Sequence, residues 1–326
     1  MKNICIYGAG AVGGFIGAQL ARAGFAVGVV DQGATLTALQ QHGLRLHTDN
    51  ETFTVAVNAV AEPEALGIQD LVIIAVKATA MGAIARRIAP LIGPQTMVMT
   101  AMNGVPWWFF NGFGGDFSGM SLESVDPQGT IAAAIPAGNV VGGVVHGSFA
   151  LFEPGYVKHV FGNTLIIGEP DGTLSERIRS LEQLLTAAGL HIVVSRNIQQ
   201  DIWFKLWGNM TMNPVSALTG ATCDRILDDP LVNRFCLRVM EEAAQIGRVI
   251  GCPVEQNGEE RNGVTRKLGA FKTSMLQDVE AGRAVELDAL IGSVREIGQK
   301  IGMQTPNIDA LLGLARLHAS VRGLYR

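Results

Sequence analysis

At 326 residues the chain exceeds the size at which one hydrophobic core keeps growing, so two domains are the first expectation. Hydrophobic residues make up 48% of it and the formal net charge is only -4, which excludes a polybasic nucleic-acid surface and a long charged, disordered tail. Apolar runs such as 71–76 and 140–145 are too short to cross a bilayer, and no basic leader precedes a cleavable apolar segment.

The first element, residues 2–7, is a short apolar strand that runs directly into Gly8-Ala9-Gly10-Ala11-Val12-Gly13, after which residues 12–23 have a helical pattern. A strand that stops at a glycine turn and restarts as a helix presents unpaired backbone N–H groups, with the positive helix end behind them, to a pyrophosphate. Gly8 permits the tight turn, Gly10 lets phosphates approach, and Gly13 lets helix and strand pack closely. A second strand at 26–30 completes a mononucleotide-binding unit, so a dinucleotide site is expected here; an ordinary glycine-rich turn or a flavin variant is the competing reading.

Asp31 ends the second strand, where a carboxylate accepts from both hydroxyls of an adenosine ribose and repels a 2′-phosphate. Gln32 adds no positive charge, so the local chemistry favours NAD over NADP, unless Asp31 is a simple turn or capping residue. Further strands are expected at 44–47, 53–57, 71–75 and 96–101, with helices at 35–42 and 81–92. Lys77 follows the fifth of these strands and either serves the cofactor or is a solvated lysine. Such alternation predicts a largely parallel sheet covered on both faces. Strand-like pieces follow at 120–125, 130–135, 140–146 and 156–167, then a helix at 174–188 and a last strand at 192–195.

Beyond Asn197 the pattern is helical: 198–212, 213–221 with breaks, 231–250, 276–281, 286–301 and 307–319. The fold class is therefore α/β plus all-α, with a Rossmann-type dinucleotide-binding domain over 1–195, a helical substrate domain over 196–326, and the ligand expected in the cleft between them. In helix 198–212, Lys205, Asn209 and Asn213 recur at intervals of four and project from one side of an otherwise apolar element. A carbonyl reduction needs such a set, a proton donor for the developing alkoxide and fixed hydrogen-bond donors for the substrate. A wet surface stripe is the alternative. Ser274 is read as the cap of a helix starting at Met275, and Glu286 starts a further helix, projecting either into the cleft or into water.

Together these segments resemble the ketopantoate reductase (2-dehydropantoate 2-reductase) family over nearly the whole chain. The likeness rests on the glycine loop, Val76-Lys77-Ala78, Asn103-Gly104-Val105, the run from Lys205-Leu206-Trp207-Gly208-Asn209 to Asn213-Pro214, and Ser274-Met275-Leu276-Gln277-Asp278 with Glu286 twelve positions past the serine. The resemblance implies Lys205 as general acid as hydride arrives from nicotinamide C4, with Glu286 contacting Lys205 or the substrate. It assigns Asn209 and Asn213 to the hydroxyl and carboxylate region of a 2-keto acid, Ser274 to the carboxylate, Asn103 to the nicotinamide ribose and substrate, and Lys77 to the cofactor. Where the local residues favour NAD, the family favours NADP. Three departures stand out: Asp31-Gln32 where the family has a basic residue, Met102 in place of glutamine, and a longer stretch around Trp107-Trp108-Phe109-Phe110 that either lines a greasier pocket, forms a lid, or packs as plain core.

The expected activity is NAD(P)H-dependent reduction of a 2-keto acid to the 2-hydroxy acid, with 2-dehydropantoate the named substrate. An NAD-dependent enzyme for a bulkier hydroxy or keto compound is the alternative, and a non-catalytic NAD(P)-binding regulator a third. The six histidines lack mutual ligand spacing and no metal is expected. The scattered cysteines, and a site that begins at residue 4, point to a cytoplasmic protein. The long apolar helices leave a homodimer open.

Overall fold

The computed structural model describes residues 1–325. Their contacts divide the chain into two units, Met1–Met102 with Gly129–Ile198 and Asn103–Gln128 with Gln199–Arg326.

One ten-stranded sheet organises the first unit. Its strands are β1 (Asn3–Tyr7), β2 (Ala26–Val30), β3 (Leu44–His47), β4 (Thr52–Val55), β5 (Asn58–Val60), β6 (Leu71–Ile74), β7 (Met97–Thr100), β8 (Val140–Glu153), β9 (Tyr156–Gly168) and β10 (His191–Val194). They lie in the order β4-β3-β9-β8-β7-β6-β1-β2-β5, with β10 beside β9. From β5 to β8 every pairing is parallel, and the β8–β9 and β3–β4 pairings are antiparallel. The parallel strands are buried on both faces, which is why Leu71–Ile74 and Met97–Thr100 read as unbroken apolar runs rather than alternating ones.

The helices of this unit are α1 (Ala11–Arg22), α2 (Gly33–His42), α3 (Met81–Ala85), α4 (Thr130–Ala134) and α5 (Glu176–Ala187). Phe15, Ile16 and Leu20 of α1 and Ile178, Leu181 and Leu185 of α5 share one core with Ile4 and Ile6 of β1 and Leu71 and Ile73 of β6. The helix expected over 81–92 stops at Ala85, and a 3-10 turn at Ala89–Leu91 follows because Pro90 cannot continue α-helical bonding. No strand forms at 120–125, and the one expected at 130–135 is instead α4, launched from Gly129 at φ +68°. The strands at 140–146 and 156–167 extend into a long hairpin that turns through Gly155.

In the second unit the helices are α6 (Ile198–Thr219), α7 (Cys223–Asp228), α8 (Pro230–Ile250), α9 (Gly258–Arg266), α10 (Ser274–Glu280), α11 (Ser293–Lys300) and α12 (Pro306–Val321), with a π-helical turn at Asp288–Gly292 ahead of α11. Pro214 sits inside α6 without ending it, so the two helices expected over 198–221 are one. The aromatic stretch belongs to this unit. Trp107, Trp108, Phe109 and Phe110 are all buried, Phe109 packs on Phe110, Phe113 and Trp203 with ring centroids 5.0, 5.9 and 6.1 Å apart, and Gln199 donates to the Phe109 carbonyl. Glu296 of α11 accepts from the backbone N–H groups of Glu123 and Ser124 and fixes the end of the same segment. The four aromatics are therefore packed as core of the helical unit, which favours the core reading over a lid. No helix among the described residues is long and apolar enough to cross a membrane.

Candidate active site

In the first unit the parallel order places the carboxyl ends of β1, β2 and β6 side by side, next to the point where the chain crosses from one half of the sheet to the other. The glycine loop leaves β1 through Gly8, whose φ of +92° is closed to side chains and whose N–H donates to the Val30 carbonyl at 3.0 Å. A Cβ at Gly13 would overlap the Gly8 carbonyl oxygen and press on Ala75 and Ile6, so this glycine serves the packing of α1 on β1. Gly10 differs: a Cβ there meets no protein atom within 4 Å. Gly10 is also the N-cap of α1 and no side chain caps that helix. Open space in front of an uncapped helix N-terminus suits a pyrophosphate, and the residues present fit a bound dinucleotide.

Asp31 stands just past β2 and is partly buried. Its Oδ2 accepts from the Ala9 N–H at 2.6 Å and its Oδ1 from the Gln32 N–H at 2.8 Å. Desolvation raises its pKa, and those two hydrogen bonds oppose the rise. Gln32 is exposed and precedes α2 as its N-cap without a side-chain cap bond. Lys77, half-buried, opens the 3-10 turn that follows β6, where Ala80 N–H bonds its carbonyl at 2.9 Å.

In the second unit α6 carries the polar stripe. Its other sides are sealed by Trp203, Leu206, Trp207, Met210 and Met212, and Trp207 Nε1 donates to the Met240 carbonyl of α8 at 2.7 Å. Asn213 is buried, whereas Lys205 and Asn209 keep partial access to solvent. Although part of Lys205 reaches the surface, enough protein surrounds its ammonium that desolvation pulls its pKa down from 10.5 to about 8, against an opposing pull from the Glu286 carboxylate. Glu286 immediately precedes the helical turn that begins at Leu287. Asn103 reaches the same neighbourhood through its backbone: Gly104, at φ +86°, lies so close to Ala289 that a Cβ would come within 2.5 Å of the Ala289 carbonyl oxygen, and Val105 N–H donates to that oxygen at 2.9 Å.

Ser274 departs from its expected place. It is the first residue of α10 and exposed, and the cap is Thr273, whose hydroxyl accepts from the Leu276 N–H at 3.2 Å. Asp278, further along α10, is buried and paired with Arg283 at 3.1 Å, which holds the turn that leads towards Glu286. Arg261 went unnoticed in the sequence: it lies on α9, a helix with no apolar periodicity to announce it, and its guanidinium rests on Gly208 of α6. The available signal was the capping pair Asn257 and Glu260, which starts α9.

A phosphate-binding turn on a parallel sheet, joined to a helical unit with a depressed-pKa lysine among amides, defines the class of NAD(P)-dependent oxidoreductases. The chain belongs to the ketopantoate reductase (PanE/ApbA) family: the family model matches residues 4–172 and the model of the family's C-terminal part matches 197–319. A 2-dehydropantoate 2-reductase of Mesorhizobium japonicum is 43% identical over 324 residues, covering 99% of each chain. A crystal structure from Ralstonia solanacearum MolK2, described as a candidate ketopantoate reductase, is 59% identical with TM-score 0.94 and full coverage of both chains. The PanE/ApbA family ketopantoate reductase of Ralstonia eutropha JMP134 is 26% identical with TM-score 0.84, over 98% of this chain and 99% of that one.

Proposed function

We propose that this protein reduces 2-dehydropantoate to pantoate, with hydride from nicotinamide C4 and the proton from Lys205. The observation that carries the reading is Lys205 itself, an ammonium with a pKa of about 8 held near Glu286 and in line with Asn209 and Asn213 on α6. An acid of that strength is largely protonated at neutral pH yet releases its proton far more readily than a solvated lysine, which matches the demand of an alkoxide forming on the substrate. Asn209 and Asn213 donate amide hydrogen bonds to the substrate without trapping a fixed charge, and Asn103 binds at the nicotinamide ribose. Glu286 keeps Lys205 protonated between turnovers. Ser274 contacts the carboxylate, a role that rests on the family resemblance and on its place in the first turn of α10.

The dinucleotide, when bound, supplies the hydride. Around it Gly8, Ala9, Gly10, Ala11, Val12 and Gly13 present backbone N–H groups to the pyrophosphate, and Lys77 contacts the cofactor past β6. Asp31 accepts from the adenosine ribose hydroxyls and, with Gln32 neutral and exposed, selects NADH over NADPH. The alternative of a bulkier substrate loses one of its two supports, Asp31 being the other, because the aromatic stretch that suggested it is packed into the helical core.

The test is steady-state reduction of 2-dehydropantoate with each reduced cofactor by the wild type and by Lys205→Ala. The reading expects the variant to lose about 100-fold or more in kcat with cofactor affinity retained. Turnover by Lys205→Ala at the wild-type rate overturns it.

A further inference from the structure

Gly208 lies on α6 three positions after Lys205 and one before Asn209, on the border of the polar stripe. The space a side chain would fill there is taken by Arg261: a Cβ at Gly208 would stand 2.7 Å from Nη2, 3.0 Å from Cζ and 3.1 Å from Nε. The guanidinium thus lies against the helix backbone, with its Cζ 5.9 Å from the Phe204 ring centre one turn earlier. Only a glycine at 208 permits this seat.

The chain leaves that cation poorly answered. Nη1 donates to Thr265 Oγ1 at 3.3 Å, Nε is buried with no acceptor, and no carboxylate among the described residues pairs with the group. Desolvation lowers its pKa, with no acidic neighbour to oppose the change. Elsewhere in the same unit arginines are matched to acids, as Arg266 is to Asp228 and Arg283 to Asp278. A partly buried guanidinium with an orphan N–H and no counter-ion is costly to the fold unless a ligand supplies the anion.

We propose that Arg261, seated on Gly208, is a carboxylate-binding residue of the active site that receives a carboxylate of the substrate while Lys205 meets the carbonyl oxygen. The inference rests on the reductase reading above and adds to it a charged anchor that sets specificity. The fork of a guanidinium matches the two oxygens of a carboxylate, whereas amides and a serine hydroxyl offer only neutral donors. The carboxylate is the one adjacent to the reacting carbonyl, the single carboxylate that 2-dehydropantoate carries.

The experiment compares wild type, Arg261→Met and Arg261→Lys on a 2-oxo monocarboxylate, its methyl ester and a 2-oxo dicarboxylate, with oxalate binding followed by calorimetry. Arg261→Met is expected to lose about 10- to 100-fold in kcat/KM for free acids, through KM with kcat nearly unchanged, and to bind oxalate correspondingly more weakly. The ester should be affected less than about 3-fold, and Arg261→Lys should recover part of the loss. Loss on every free acid places the guanidinium at the carboxylate beside the carbonyl; loss on the dicarboxylate alone overturns the proposal, because 2-dehydropantoate has no second carboxylate. Equal losses for acid and ester, or a fall in kcat at unchanged KM, overturn the proposal. Oxalate binding is independent of turnover, so a failure of the Lys205 role would leave this test intact. A fully active Arg261→Met with wild-type oxalate affinity sinks the anchor alone.

Discussion

The Glu286 carboxylate offsets part of what burial does to the Lys205 ammonium: burial draws the lysine pKa down to about 8, and the glutamate keeps it from falling further. With Lys205 as the proposed proton donor, kcat/KM for keto acid should fall as pH rises through about 8, while oxidation of the hydroxy acid should rise through the same value. Replacement Glu286→Gln removes the upward pull, and both limbs should move to lower pH. Profiles that superimpose on the wild type would remove Glu286 from this role.

The same shift bears on stability. Because the folded pKa of Lys205 lies below the ordinary 10.5, the unfolded chain binds more protons between about pH 8 and 10.5, and the contribution of this group to stability rises across that window. Below about pH 8 the cost of burying the ammonium is constant. Denaturant titrations of wild type and Lys205→Met should converge as pH climbs from 8 to 10, the wild type gaining on the variant; parallel curves would contradict the desolvated lysine.

Two glycines of the phosphate loop should respond oppositely to alanine. Gly10→Ala meets no protein atom, so its melting temperature should match the wild type while NADH binds at least about 10-fold more weakly. Gly13→Ala forces a methyl into the Gly8 carbonyl and should cost ~1–3 kcal/mol or more of stability. Melting curves together with fluorescence titration of NADH check both.

Coenzyme choice is tested by Asp31→Ala combined with Gln32→Arg. The ratio of kcat/KM for NADPH over NADH should rise by about 10-fold or more, since the proposed ribose acceptor is removed and a phosphate partner introduced. An unchanged ratio would mean that the adenosine end lies elsewhere.

Phe109 separates core from lid. At full burial among Phe110, Phe113 and Trp203, Phe109→Ala should cost about 3–5 kcal/mol in urea unfolding. A variant of unaltered stability with a changed KM would restore the lid.

What could be read before the fold was known follows from where the signals are local. Buried parallel strands announce themselves as apolar runs, and the Lys205, Asn209 and Asn213 spacing is itself a helical period. Elements governed by long-range packing were harder. Thr130–Ala134 resembles a strand in sequence because five residues are too few to show a helical period, and its launch from a left-handed Gly129 is visible only in three dimensions. The seating of Arg261 on Gly208 joins residues 53 positions apart on different helices, and a single sequence has no local mark for it. The cap at α10 fell to Thr273 rather than Ser274, a one-residue error between two hydroxyls that both suit the position.

The Asp31–Ala9 hydrogen bond ties the carboxylate proposed for the ribose to the glycine loop proposed for the pyrophosphate, as a single mechanical part. The side chain proposed to sort riboses also braces that loop, so on this reading a replacement at 31 should alter selectivity and grip together. Converting the coenzyme without loosening the loop would therefore require a second acceptor for the Ala9 amide, and compensating changes around residue 9 are where a redesigned descendant should be searched first.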